Sequence, residues 1–130
     1  MKKIGRLIGT VVLACIMQSS FADDLGQDME MIAKNYDIFQ NTQSPSQAVD
    51  ALSAMQQAVL DAKKSIPMTL IGEPDHSPKV QQYQKGLDDL NAELTQTVAM
   101  VKAGHLQQAR EQAIPVIDQM KKTNHQKFRN

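Results

Sequence analysis

The sequence has no tryptophan, three phenylalanines, two tyrosines and a single cysteine in 130 residues. With so few aromatics, aliphatic side chains and the eight methionines must fill any core, and methionine suits that work because its unbranched side chain adapts to irregular gaps. No segment alternates with period two, and the β-branched residues are scattered, so strands have no support. The cysteine, Cys15, lies in an N-terminal stretch expected to be removed. What remains has no disulfide, no thiolate metal site and no CxxCH sequence for covalent haem attachment. An excess of basic residues is also missing, which argues against nucleic acid as a partner.

The start of the chain has the layout of a cleavable secretory signal. A basic MKKIGR precedes the apolar LIGTVVLACIM, and the stretch closes on small residues in SSFA. The apolar run is too short to span a membrane. Cleavage is expected after Ala22, leaving a domain of about 108 residues from Asp23 to the end, near the size at which one core suffices. A looser match of VLAC to a lipoprotein box would instead make Cys15 a lipidated terminus. The apolar run continues past Cys15, however, and SSFA is a good cut site for the ordinary peptidase. Lys2, Lys3 and Arg6 leave with the signal, so eleven basic residues then face all fourteen acidic ones. The mature chain is expected to have no membrane span and to be monomeric.

Four apolar-periodic segments follow. Leu25, Met29, Ile32, Tyr36 and Phe39 recur at steps of four and three, one face of a helix. NTQSPS interrupts it, with Ser44 as the next cap, Pro45 in the first turn and Gln47 placed to complete a capping box. The second helix runs to about Lys64, with Ala48, Leu52, Met55, Val59, Ala62 and Ile66 on its core face. Pro67, Gly72, Pro74 and Pro78 then mark the longest connection. Ser77 before Pro78 repeats the cap-then-proline start, and Val80, Tyr83, Leu87, Leu90, Leu94, Val98 and Val101 carry the third helix. Gly104 supplies a left-handed C-terminal cap. The fourth helix begins near His105, with Leu106, Ala109, Ala113, Ile117, Met120 and Phe128 as its apolar positions. The fold class is all-α, an antiparallel up-down-up-down four-helix bundle, because short loops return each helix beside its predecessor.

That topology brings the start of the first helix and the end of the fourth to one end of the bundle. Met29 and His125 can then face each other there, with Ile66, Pro67, Met68, Tyr83 and Leu87 as apolar walls. One thioether, one imidazole and an apolar cavity suit a haem, and ligands on both faces of the iron leave electron transfer as its task. Lys121, Lys127 and Arg129 stand near enough in sequence to meet propionates at the rim. A lone methionine and a lone histidine occur in most helical domains, so the pair alone does not separate a cofactor site from a packed core.

From DLGQDMEMI through LDAKKSIP and HSPKVQQYQKGLDDL to NHQKFRN, the chain resembles the soluble cytochrome b562 family over essentially its whole mature length. The resemblance implies a periplasmic carrier of single electrons in a Gram-negative bacterium. Its cofactor would be noncovalent haem b, one per chain, serving unidentified periplasmic redox partners. Met29 and His125 fall on the axial ligands. A pair of pocket phenylalanines in the family reads Tyr83 and Leu87 here, and an arginine one turn before the ligand histidine reads Lys121, which keeps the charge but loses the planar fork. The rival reading is a haem-free bundle acting as a periplasmic binding or stress protein.

No enzymatic constellation assembles. Asp88 and Asp89 sit about 100° apart on a helix and cannot share a proton. His76 lies in the acidic loop EPDH, where flanking prolines and the lack of a second histidine favour a solvated loop over a metal site. His105 is expected to be exposed. Pro115 falls inside the fourth helix, and the 19 steps from Leu106 leave His125 about 100° from that leucine's direction on an unbroken helix. A one-residue π-type bulge or kink between about Glu111 and Val116 would turn the histidine inward, and it is expected there.

Overall fold

The computed structural model describes residues 21–128; residues 1–20 of the expected signal, with Cys15, and Arg129 lie outside the described residues. Four helices make up the fold: α1 (Phe21–Asn41), α2 (Pro45–Ala62), α3 (Pro78–Lys102) and α4 (Leu106–Phe128). A 3-10 turn, Met68–Leu70, sits in the connection between α2 and α3. Among the described residues there is no strand, and the helices form an antiparallel up-down-up-down bundle. Consecutive helices pack closely along their lengths, whereas α1 and α4 approach each other far less. That gap positions the site.

The helix boundaries follow from local chemistry. The Ser44 side chain accepts from the Gln47 amide at 3.2 Å, and Ser77 accepts from the Val80 amide at 3.2 Å, each with proline in the first turn. The expected capping box is modified. Instead of reaching the Ser44 amide, Gln47 Oε1 accepts from the Thr42 hydroxyl at 2.6 Å, and that hydroxyl accepts from the Ser44 amide at 3.1 Å. At the end of α3, Gly104 takes φ +93°, where its amide donates to Val101 and the His105 amide donates to Met100, both at 3.0 Å. This pair of bonds is a Schellman ending, and glycine tolerates the left-handed conformation it needs.

The core is continuous and reaches the end where the two short loops lie. Phe39, Leu52, Leu94, Val101, Ala109 and Ala113 are all buried there, with Phe39 and Leu52 fully so. Arg110 is buried in the same layer, and its Nε donates to the Phe39 carbonyl at 2.9 Å. That carbonyl belongs to the last turn of α1, where intrahelical donors run out and a cation is favoured by the helix dipole.

The bulge expected at Pro115 is absent. α4 is α-helical from Leu106 to Phe128 with Pro115 inside it, and no π turn interrupts it. The reason is the face on which the proline lies. Pro115 and Glu111 are both exposed. The carbonyl that loses its amide donor therefore meets water, and the helix need not absorb an extra residue to satisfy it.

Candidate functional site

An apolar cavity of about 370 Å³ opens at the end of the bundle that holds the start of α1, the end of α4 and the long connection. Met29 lines it from α1, and Lys121, Asn124 and His125 line it from α4. Pro67 closes one side, held by the turn in which the Leu70 amide donates to its carbonyl at 2.9 Å. Tyr83 and Leu87 form the wall from α3, joined by Leu90. Six of the seven expected site residues thus line one cavity: Met29, His125, Pro67, Tyr83, Leu87 and Lys121. Arg129 lies outside the described residues.

The ligand candidates stand at the mouth rather than deep inside. Met29 is 41 % exposed, and His125 is also exposed. This agrees with an unbroken α4, on which the histidine lies at the edge of the apolar stripe. The inward direction at that level belongs to Asn124, seven residues beyond the fully buried Ile117. Asn124 also lies against α3, so closely that a Cβ on Gly86 would stand 2.8 Å from its Oδ1.

Two tyrosines fix the walls. The Tyr83 hydroxyl donates to the Ala62 carbonyl at 3.1 Å, tying α3 to the end of α2 and leaving its ring against the cavity. Burial, and then the charge of Asp28, push the Tyr83 phenol up to about 12. Tyr36 is buried between α1 and α4, where its hydroxyl lies 2.7 Å from Asp118 Oδ1 and 3.2 Å from the Ile114 carbonyl. Its phenol is raised well above the ordinary value by burial first, then by the Asp118 hydrogen bond and charge. Lys121 Nζ lies 4.9 Å from the centre of the Tyr36 ring, a cation held over an aromatic face.

Sequence reasoning left several wall residues unassigned. Leu25, Ile32, Ala33 and Met120 also line the cavity. All but Ala33 lie on the apolar stripes, which could have marked them. Asn124 could have been found by stepping two turns on from Ile117. Ile66, an expected wall, packs against the core without lining the cavity. The side chain of Met68 lies outside the described residues. His105 is exposed as expected. His76 is exposed too, and no group of three or more metal-binding side chains occurs among the described residues.

Residues 24–129 match the cytochrome b562 family. The chain belongs to that family. Over 129 residues it is 30% identical to a Yersinia pestis protein described as "Probable soluble cytochrome b562 1", covering 99% of this chain and all of the relative. A second Yersinia pestis protein, "Probable soluble cytochrome b562 2", is 29% identical over 129 residues, 97% of this chain and all of that relative. Cytochrome b562 membership brings with it a b-type haem cofactor and electron carriage. No helix among the described residues is long and apolar enough to cross a membrane.

The cavity suits such a group. Its lining is almost wholly apolar, and the polar exceptions are His125, Lys121, Asn124 and the inward-tied Tyr83. Thioether sulfur and imidazole nitrogen are both donors that iron in a porphyrin accepts.

Proposed function

We propose that this chain holds one noncovalent haem b between Met29 and His125 and carries single electrons in the periplasm. One observation supports this most: the thioether and the imidazole, 96 residues apart in sequence, line the same apolar cavity from α1 and α4. When bound, the haem supplies an iron centre that takes up and releases one electron, with methionine ligation favouring the reduced state.

The chain's own residues do the rest. Met29 and His125 would provide one ligand each, which would leave no coordination position for a substrate, so the chain's task is that of a carrier rather than an enzyme. Leu25, Ile32, Leu87 and Leu90 exclude water from the macrocycle's body. Lys121 brings positive charge to the cavity wall, and Lys127, exposed at the chain end, meets carboxylates at the mouth. Tyr83 and Leu87 make the wall less aromatic than a pair of phenylalanines. The only cysteine precedes the family-matching residues and no CxxCH is present, so attachment is noncovalent. The working protein starts at Asp23 after removal of the signal and acts as a monomer on periplasmic redox partners.

Absorbance of protein purified from a haem-replete periplasm tests this reading. A Soret band that shifts and sharpens on reduction is expected. A colourless protein that refuses added haemin would instead favour a haem-free binding or stress protein.

A further inference from the structure

We propose that Gly86 and Asn124 act as a positioning pair for the cavity: the missing side chain on α3 is a berth for the Asn124 amide, which sets how His125 faces the cavity. This rests on His125 being the haem ligand.

The geometry begins with the register of α4. At about 100° per residue, Asn124 points within about 20° of Ile117, whereas His125 is about 80° round the helix from it. Ile117 is fully buried, so its direction marks the inside of the bundle. The residue aimed at the interior in the last turns is therefore a polar amide, and the histidine is presented sideways to the cavity. Something must hold that amide in place.

Gly86 does so by having no side chain. A Cβ there would lie 2.8 Å from Asn124 Oδ1, 3.2 Å from Nδ2 and 3.3 Å from Cγ. All three atoms are in the amide itself, so the carboxamide rests on the α3 backbone face at position 86. Glycine inside a helix weakens it, and a packing reason usually accompanies its presence. Here the reason is next to the site: Leu87 and Asn124 both line the cavity. A methyl group at position 86 turns the Asn124 carboxamide out of its berth, since all three crowded atoms lie at the end of that side chain. The last turns of α4, with His125 next to Asn124, then lose their seat against α3.

Haemin titration of the full chain tests the pair. Gly86→Ala is expected to lower haemin affinity about tenfold, within the range for partners that orient a metal ligand, and to raise the high-spin share of the spectrum. Helix content by far-UV circular dichroism stays unchanged. Asn124→Ala leaves α3 untouched and removes the amide, so it lowers affinity by a similar factor, and the double variant is no worse than either single one because both changes empty the same berth. Asn124→Gln lengthens the amide and lowers affinity too. Wild-type affinity and spectrum in Gly86→Ala, in Asn124→Ala or in Asn124→Gln would overturn the proposal, as would losses that add in the double variant. If the unaltered chain takes up no haemin, the ligand assignment fails separately. The pair is then judged by amide exchange of residues 121–127 without haemin: faster exchange in Gly86→Ala and in Asn124→Ala supports it, and no change contradicts it.

Discussion

The two ends of this bundle are built differently. At one end both loops are short, Ser44 caps the start of α2, Gly104 closes the end of α3, and Phe39, Leu52, Val101 and Ala109 are buried together. Arg110 adds a bond across that end to the last turn of α1. At the other end lie the start of α1, the end of α4 and the connection from Lys63 to Ser77, and there the cavity opens between α1 and α4. Besides the buried bond from Tyr83 to Ala62, it carries surface ion pairs, Lys63 with Asp88 at 2.6 Å and Lys79 with Glu73 at 3.5 Å, which contribute little in solvent. The difference suggests a division of work. The closed end stabilises the fold by itself, and the open end is completed by what it holds.

The largest effect should come from the closed end. Phe39→Ala removes a fully buried ring and is expected to cost about 3–5 kcal/mol in denaturant unfolding. Met29→Ala, at a site 41 % exposed, should cost the haem-free chain less than about 1 kcal/mol. Similar losses in both variants would remove the contrast between the ends.

Haem should act in the opposite sense, on the open end. At free haem one hundred times its dissociation constant, linkage gives about 2.7 kcal/mol of stabilisation. Amide exchange should slow most from Lys121 onward, because the last turns of α4 gain an anchor there. Equal protection along α4 with and without haem would contradict this.

A smaller effect is a pH dependence carried by Tyr83. Its phenol is raised from 10.0 to about 12, so between those values the unfolded chain has lost a proton that the folded chain still holds. Stability from this group is thus complete below about pH 10 and lost as pH rises towards 12, at most about 3 kcal/mol and less after solvent screening. Tyr83→Phe should flatten that alkaline fall. An unchanged slope would place the alkaline sensitivity elsewhere, with Tyr36 the next residue to test.

Helix ends and core faces were legible because each rests on chemistry within a few residues. Ser44 with Pro45, Ser77 with Pro78, and Gly104 all mark boundaries that the structure has. The stripe from Val80 to Leu94 is buried at Val80, Tyr83, Leu87, Leu90 and Leu94. Topology then brought Met29 and His125 to one cavity. What was not legible depended on which partner a side chain finds and which face meets water, which the apolar pattern does not state. Whether Pro115 needs a bulge depends on whether Glu111 faces water, and it does. Gln47 lost its expected partner to Thr42, two residues before the cap. The place of Lys121 depends on Tyr36, across the bundle, and the role of Asn124 depends on Gly86, on another helix.

Haem spectra of Met29→Ala and His125→Ala, measured side by side, test the central claim most directly. Imidazole is the stronger ligand to ferric iron, so His125→Ala should lose most haem retention. Met29→Ala should keep haem with an altered, partly high-spin spectrum. Unaltered spectra in both variants would mean that these two side chains do not ligate the iron.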